Sequence, residues 1–260
     1  MRVLRTLGLA LATAVITGTA GAQEMIVNGG FETGDLTGWT RQVWPGSSGD
    51  IRVVGAGNGF LSELPQIGPR TGARYALTDQ TGPGAYSLRQ AFTLGSGPTS
   101  ATLRFALSVT SYGAPTPPGT AFDPFGPPRQ FARVDLFSGL LADGFSSAAP
   151  LQTFFAGPAA AVDSAQAWQA FSFDLTSLLA APGTYTLRFT EVDNQGFFNL
   201  GIDDVSLVAT PTQVIPEPTT FALCGAALAA LGVAVRRRAA RPRPRRTLLP
   251  RPRRRAGRQA

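Results

Sequence analysis

The chain has 260 residues, of which 43% are hydrophobic, and its formal net charge at neutral pH is +7. This length accommodates one large domain or two small ones. The sequence contains no histidine and one cysteine, Cys224. The composition therefore excludes an intrachain disulfide, histidine-dependent catalytic triads and histidine-ligated metal sites, whereas chemistry based on carboxylates remains open.

The positive charge is confined to the C-terminal end of the chain. Residues 24–215 contain nine arginines and fifteen acidic residues, a net charge of −6, whereas residues 236–260 contain twelve arginines and no acid. An acidic body lacks the basic surface that binds phosphate backbones. We therefore expect no nucleic-acid partner.

Residues 1–22 have the order of a secretory signal peptide. Arg2 and Arg5 precede the apolar segment 7–16, and the small residues 20–22 follow it. This order predicts cleavage before Gln23 and export of the body. A buried N-terminal helix is the alternative interpretation.

Short segments of alternating apolar and polar residues recur through residues 23–210, with glycine and proline clusters between them. They lie at residues 88–94, 102–109, 132–136, 171–175 and 185–189. Alternation with a period of two is typical of half-buried strands, and no long helical pattern interrupts it. The sequence therefore predicts an all-β fold, a single antiparallel β-sandwich of the jelly-roll type.

The longest interruption of this pattern is Ser111–Arg129, which is rich in proline. Such a segment cannot lie inside a sheet, so we expect a surface loop. Loops of this length are usually either binding elements or disordered, and the sequence leaves both open. Phe122, Phe125 and Arg129 are its candidate contact residues.

The C-terminal region combines three consecutive parts: the motif Pro216, Glu217 and Pro218, the uncharged segment Thr219–Val235, and the arginines Arg236, Arg237 and Arg238. The uncharged segment would span about 26 Å as a helix, slightly less than a hydrocarbon core of about 30 Å. It predicts a marginal transmembrane helix whose arginines stay in the cytoplasm, with the body outside. A buried helix of the globular domain is the alternative, although core helices seldom end in unpaired arginines.

This order resembles the PEP-CTERM sorting signal of Gram-negative bacteria that produce exopolysaccharide. The resemblance covers residues 214–241 of a predicted sorting region at 211–241. It implies recognition by an exosortase, which would cut near the Pro-Glu-Pro motif. The body would first face the periplasm from the inner membrane and then reach the cell surface or extracellular matrix. Residues 242–260, rich in arginine and proline, extend beyond the usual end of such signals, and we expect them to be disordered.

Both ends of the body carry a second resemblance. The segments Asn28-Gly29-Gly30-Phe31-Glu32, Gly38-Trp39-Thr40 and Gly201-Ile202-Asp203-Asp204-Val205-Ser206-Leu207 resemble the first and last strands of galactose-binding-like jelly rolls, including CBM4/9-type carbohydrate-binding modules. The resemblance implies that these strands pair. It also implies one structural Ca²⁺ held by Glu32 and Asp203 with help from Asn28.

An alternative interpretation of Glu32 and Asp203 is that they cap strand ends beside arginines. Asp193, Asn194 and Asn199 are further oxygen donors, but their spacing does not match an EF-hand, and we assign them no site.

Sugar-binding modules stack sugar rings on exposed aromatic side chains. Trp39 belongs to a motif that is core in the resembled family, and Trp168 precedes a strand, so both are expected to be packing residues and not ligand contacts. Trp44 lies beside a glycine- and serine-rich turn, and Tyr112 opens the long loop. Trp44 and Tyr112 are therefore the candidate ligand-binding residues.

These observations favour a non-catalytic, exported cell-surface or matrix protein that contacts exopolysaccharide or another surface component. A glycoside hydrolase or lyase with paired carboxylates is one alternative, because two acids suffice for that chemistry. A structural adhesin without glycan binding is another. No catalytic motif is recognisable, and we assign no catalytic residue.

Overall fold

The computed structural model describes residues 21–158, 164–212, 225, 227–232 and 236. The chain divides into two compact units, Met1–Gln213 and Val214–Ala260. The described strands are β1 (Gln23–Glu24), β2 (Thr40–Val43), β3 (Gly49–Val54), β4 (Tyr75–Gln80), β5 (Gly84–Leu94), β6 (Pro98–Ser111), β7 (Gln130–Ser138), β8 (Gln152–Gly157), β9 (Gln169–Asp174), β10 (Gly183–Asp193) and β11 (Phe198–Pro211).

Several predicted segments fall outside the described residues. These are residues 1–20 of the signal peptide, the motif residues Pro216, Glu217 and Pro218, the arginines Arg237 and Arg238, and residues 242–260. Within the predicted helix 219–235, residues 225 and 227–232 are described and are helical, as is the exposed Arg236. No described helix is long and apolar enough to cross a membrane.

The strands form two antiparallel sheets. Sheet A has the order β3-β4-β11-β6-β9, with β1 paired to β11, and sheet B has the order β2-β5-β10-β7-β8. Strand β1 pairs with β11, at Gln23 with Ala209 and Glu24 with Val208. The segments that carry the family resemblance lie elsewhere, because residues 28–32 are outside the strands and Thr40 begins β2, which pairs with β5 in sheet B. The implied strand pairing of residues 28–32 with β11 is therefore replaced by a loop contact, in which Val205 N donates to the Gly29 carbonyl at 2.9 Å. The predicted antiparallel β-sandwich is confirmed.

The core lies between the inner faces of the two sheets. Leu103, Phe105 and Leu107 of β6 are buried there, as their alternation predicts. The Phe105 ring meets Phe189 of β10 edge-on, with 5.6 Å between the ring centroids. Trp39 is buried in the same cluster, where its ring centroid lies 5.9 Å from that of Phe189, so the predicted packing role is correct.

Strands β7 and β10 are buried on both faces, because two loops cover the outer face of sheet B. The first loop is residues 112–129, and the second is residues 139–151. Beneath them lie charged residues of the sheet, among them Asp135 and Arg188, which are 0% and 2% exposed. The alternation of the sequence predicted these strands, but it did not predict that the loops would also bury their outer faces.

Asp135 accepts hydrogen bonds from two arginines on this outer face. Its Oδ1 lies 2.8 Å from Arg133 Nη2, and its Oδ2 lies 2.7 Å from Arg188 Nη2. Burial alone would raise the pKa of Asp135, but hydrogen bonds from Arg133, Arg188 and Thr153 outweigh this effect and hold the pKa below its ordinary value. The carboxylate is therefore ionised and fully paired.

The same arginines hold the two covering loops. Arg133 Nη1 donates to the Gly119 carbonyl at 3.0 Å, and Arg188 Nη1 donates to the Ser146 carbonyl at 2.9 Å. The Arg188 guanidinium also lies 5.0 Å from the ring centroid of Phe122. We call Arg133, Asp135 and Arg188 the ion cluster, and it connects sheet B to both loops.

Replacement of Asp135 by asparagine is expected to lower the free energy of unfolding by about 3–5 kcal/mol, because it leaves buried Arg188 without a counter-charge. Urea denaturation monitored by circular dichroism measures this loss. The pairing stabilises the fold fully at pH values above about 3.9, the ordinary pKa of an aspartate in the unfolded chain. This stabilisation is lost as the pH falls through the lower pKa of Asp135 in the folded chain.

Asp50→Asn is the matched control, since Asp50 forms ion pairs with Arg41 and Arg52, whose side chains are about half exposed. We expect this control to cost less than about 1 kcal/mol. Equal losses in the two variants would contradict a structural role for the ion cluster.

Candidate functional site

Four connections gather at one end of the sandwich, which we call the hairpin end. They are residues 44–48, 81–83, 112–129 and 194–197. Strand pairing shows that they share one end, because Gly84, which follows the second connection, pairs with Asp193, which precedes the fourth. The sequence candidates Trp44 and Tyr112 both lie at this end. The fold therefore brings together two residues that are 68 positions apart in the sequence.

Two further aromatic side chains lie at the hairpin end and are more exposed. Phe125 is 58% exposed and Phe197 is 38% exposed, whereas Trp44 and Tyr112 are half-buried. Tyr112 N donates to the Phe197 carbonyl at 2.9 Å. The Phe125 ring lies against Gly46 in the turn after Trp44, so close that a Cβ added at Gly46 would be 3.2 Å from the ring. Tyr112 and Phe197 are therefore joined through the backbone, and Phe125 lies beside the turn that follows Trp44.

Trp44 is held in place by packing. Its ring meets Phe145 edge-on, with 5.2 Å between centroids, and its backbone N–H donates to the Ala85 carbonyl at 2.9 Å. One side of the indole is therefore used in a small cluster with Phe122 and Phe131 on the outer face of sheet B. Only the remaining part of the ring is available to a ligand.

The long loop is packed against the sandwich, so of the two interpretations that the sequence left open, the structure favours an ordered loop. Phe122 is 2% exposed and packs on Phe131, so it cannot contact a ligand as the sequence suggested. Phe125 is exposed, and Arg129 is half-buried with its Nη1 donating to the Asp123 carbonyl at 2.7 Å. Of the three proposed contact residues, Phe125 is the most accessible.

Asn194 attaches the long loop to the turn between β10 and β11. Its Oδ1 accepts from Arg129 N at 2.8 Å, and its Nδ2 donates to the carbonyls of Pro124 at 3.1 Å and Pro127 at 3.0 Å. The prolines of the loop have no backbone N–H, so the loop has few donors of its own, and Asn194 supplies one to these carbonyls. Asn194 therefore fixes the position of Phe125 relative to Phe197.

A cavity of about 240 Å³ opens at the hairpin end. It is lined by Thr81, Gly82, Pro83, Asp193, Asn194, Gly196 and Phe197. Backbone groups, a carboxyl group and an aromatic face therefore adjoin one another. Such a combination can bind a small polyhydroxylated ligand, with hydroxyls on the polar groups and an apolar face on the ring.

Asn194→Ala is expected to loosen the loop and to raise the rate of tryptic cleavage after Arg129 at least tenfold, because the loss of about 1–3 kcal/mol of hydrogen bonding favours local opening. Limited proteolysis with mass spectrometry measures the rate. Thr81→Ala is the control, since the Thr81 hydroxyl lies at the same end of the sandwich and donates to the Ser48 carbonyl of a neighbouring turn. Cleavage of Asn194→Ala at the wild-type rate would rule out this anchoring role.

The three residues that the family resemblance assigns to calcium lie away from the hairpin end. Glu32 Oε1 accepts from the backbone N–H groups of Ala73 at 2.9 Å and Arg74 at 3.0 Å. Asp203 Oδ2 accepts from those of Arg70 at 2.8 Å and Thr71 at 3.3 Å. Both acids therefore hold the same segment, residues 70–74.

Asn28 directs its amide toward its own loop. Its Nδ2 donates to the carbonyls of Asp35 at 3.0 Å and Thr37 at 3.2 Å, and its φ of 53° places it in the left-handed region. The donor set therefore fits a shared cation poorly, because Asn28 and the two acids already have protein partners. Among the described residues, no group of three or more Cys, Asp or Glu side chains could hold a metal ion. Calcium at this position stays a prediction.

Asp203 and Asp204 lie in different surroundings. Asp203 is fully buried, and burial raises its pKa even though backbone amides of Asp204, Thr71 and Arg70 oppose the shift. Asp204 instead forms an ion pair with the Arg70 guanidinium. The arginine pairing considered in the alternative interpretation thus involves Asp204.

Trp168 packs against the outer face of sheet A. Its ring meets Tyr75 edge-on at 5.6 Å between centroids, and its Nε1 donates to the Gly68 carbonyl at 2.9 Å. Gly201 lies beneath the indole, where an added Cβ would approach the ring to 3.1 Å. Trp168 therefore has the packing role that the sequence predicted.

Comparisons with known proteins do not place the chain in a family. No protein-family model and no curated protein matches it. The carbohydrate-binding module TmCBM61, solved in complex with β-1,4-galactotriose, is 13% identical with a TM-score of 0.43, covering 71% of this chain and 97% of that one.

Two other solved structures show similar scores. The K3 cleaved adhesin domain of Lys-gingipain from Porphyromonas gingivalis W83 is 17% identical with a TM-score of 0.43, covering 72% of this chain and 99% of that one. A Stig cyclase from Fischerella sp. TAU is 14% identical with a TM-score of 0.42, covering 74% and 100%. Similarities of this size carry no argument about the ligand or activity of this chain.

Proposed function

We propose that the sandwich is a non-catalytic glycan-binding module that contacts exopolysaccharide through its hairpin end. The observation that carries the proposal is the cavity bordered by Phe197, with exposed Phe125 and the half-buried Trp44 and Tyr112 at the same end. Aromatic faces bind the apolar faces of sugar rings, and adjacent polar groups bind their hydroxyls. The packed loop supports the proposal, because a fixed surface loses little entropy on binding.

A structural adhesin that binds protein would use the same surface, but polar groups beside isolated aromatic rings suit a polyol better than an apolar protein patch. A carboxylate-pair hydrolase has less support. Glu191 and Asp193 are the neighbouring acids nearest the cavity, but Glu191 is 0% exposed and cannot reach a glycosidic bond. The binding role is therefore the function that the geometry supports best.

Phe125→Ala and Phe197→Ala are each expected to weaken glycan binding roughly tenfold, which corresponds to about 1.4 kcal/mol of lost stacking. A glycan array identifies the ligand, and calorimetry with that glycan measures its Kd for each variant of the full chain. Leu140→Ala is the control, because Leu140 is 75% exposed and follows β7 at the opposite end of the sandwich.

The array also separates the competing functions. Retention of a glycan without shortening supports the binding module, whereas release of shorter products would establish a hydrolase or lyase. A complete absence of glycan binding, or unchanged binding in both phenylalanine variants, would refute the proposed use of the hairpin end.

We further propose that the body is exported and is processed at Pro216, Glu217 and Pro218 by an exosortase, with the membrane and the exosortase as transient partners. The support is the order of motif, uncharged segment and arginine cluster, together with the signal-peptide pattern at the other terminus. A surface destination suits a module that binds exopolysaccharide. The single cysteine allows no intrachain disulfide despite this oxidising destination, so the core and the ion cluster provide the cohesion of the fold.

Replacement of Pro216, Glu217 and Pro218 by alanine is expected to leave the uncut chain in the membrane fraction of an exosortase-containing host, while wild-type chain yields a shorter surface product. Immunoblots of cell fractions with an antibody to the body distinguish the two. Deletion of residues 242–260 serves as the control, since it leaves the motif intact. The same shorter product from the motif variant would contradict exosortase processing at this site.

A further inference from the structure

The interior of the sandwich changes from apolar to acidic near the hairpin end. Along the inner face of β10, Leu187 and Phe189 contribute to the core, and the next residues in the same alternation are Glu191 and Asp193. They are 0% and 1% exposed. Two acidic side chains therefore occupy positions where the pattern of the strand calls for apolar ones.

Several oxygen atoms around these acids have no hydrogen-bond partner among the described residues. They are both carboxylate oxygens of Glu191, Oδ1 of Asp193, Oε1 of Gln80 and the hydroxyl of Tyr86. Thr78 and Asp193 are both near enough to affect the Glu191 carboxyl group, but neither forms a hydrogen bond of good geometry with it. The Thr78 hydroxyl instead accepts from Leu200 N at 2.8 Å. Buried polar atoms are rarely left unpaired, so this cluster requires an explanation.

The unpaired oxygens come from adjacent positions in the fold. Tyr86 is the cross-strand partner of Glu191, and Gly84 is that of Asp193. The Tyr86 hydroxyl lies directly against Gly84, in the space that the Cβ of any larger residue at position 84 would fill. Gln80 Nε2 donates to Asp193 Oδ2 at 3.1 Å, which leaves Gln80 Oε1 and Asp193 Oδ1 as the unpaired oxygens of that pair.

No positive side chain compensates this charge within the described part of the chain, where all five ion pairs involve other acids. The contrast with Asp79 is informative, because Asp79 is equally buried but accepts from the N–H groups of Leu61 and Ser62. Ionised Glu191 and Asp193 need a cation instead.

We propose that Glu191 and Asp193, assisted by Gln80 Oε1 and the Tyr86 hydroxyl, form a binding site for a divalent cation of the calcium type. All of these donors are oxygens, which hard cations prefer, and two carboxylates balance a charge of +2. Asp193 lines the cavity at the hairpin end, so that cavity provides an entry path. This site is separate from Asn28, Glu32 and Asp203, and it does not depend on glycan binding.

The test measures the thermal unfolding of the full chain after treatment with a chelator, with and without added Ca²⁺, and with Mg²⁺ in a parallel sample. At a free Ca²⁺ concentration of 100 times Kd, the midpoint is expected to rise by roughly 5–10 °C. Glu191→Gln and Asp193→Asn should each reduce this rise by at least half. Both replacements keep the side-chain size and remove a buried charge, so both variants are expected to fold.

Glu32→Gln and Asp203→Asn are the location controls, and calorimetric titration with Ca²⁺ gives the stoichiometry for every variant. The proposal requires that the controls retain the binding that Glu191→Gln loses. It is overturned if Ca²⁺ does not change the midpoint, or if the response survives in Glu191→Gln and Asp193→Asn. Loss of binding only in the controls would also overturn it and would locate calcium at the family-implied position.

Discussion

The pairing of Asp135 with Arg133 and Arg188 determines how the outer face of sheet B is covered. A buried carboxylate between two arginines is stable only while all three partners stay in place. The Nη1 groups of Arg133 and Arg188 donate to the loop carbonyls of Gly119 and Ser146. These buried N–H donors therefore have partners only while both loops are packed on sheet B. The ion cluster thus turns a proline-rich connection, with few hydrogen bonds of its own, into a second structural layer.

The hairpin end depends on this arrangement. Phe122 covers the Arg188 guanidinium, and three residues farther along the same loop Phe125 is exposed beside the turn that follows Trp44. Asn194 fixes the far side of the loop to the turn that presents Phe197. The aromatic residues proposed to bind sugar are therefore positioned by polar contacts in a layer outside the apolar core. A ligand that meets a fixed surface pays a smaller ordering cost than one that must order a loop.

The sequence predicted the sandwich well because its core strands follow a simple alternation. Leu103, Phe105 and Leu107 face inward as expected, and Trp39 packs where its motif suggested. The covering layer could not be predicted, because Arg188 reads as a solvent-facing residue of an alternating strand. Its burial depends on a loop that is distant in the sequence.

The candidate site was predicted only in part. Trp44 and Tyr112 lie at one end of the sandwich, as two residues of a common surface should. Phe197 was missed because the sequence does not show which of the adjacent residues Phe197 and Phe198 is buried, and the structure buries only Phe198. Glu191 and Asp193 were missed as a pair for another reason. Their apolar neighbours on β10 reveal an inward face, but no local pattern shows that the partners across the sandwich leave their oxygens unpaired.

Hydrogen exchange of the wild-type chain in solution tests most directly whether the long loop is a fixed part of the sandwich. Tyr112 N donates to the Phe197 carbonyl, Thr116 N to the Gln130 carbonyl, and Arg129 N to Asn194 Oδ1. If the ion cluster and Asn194 hold the loop, these three amides will exchange far more slowly than unstructured peptide amides. Exchange at unstructured rates, with the strands still protected, would contradict the account.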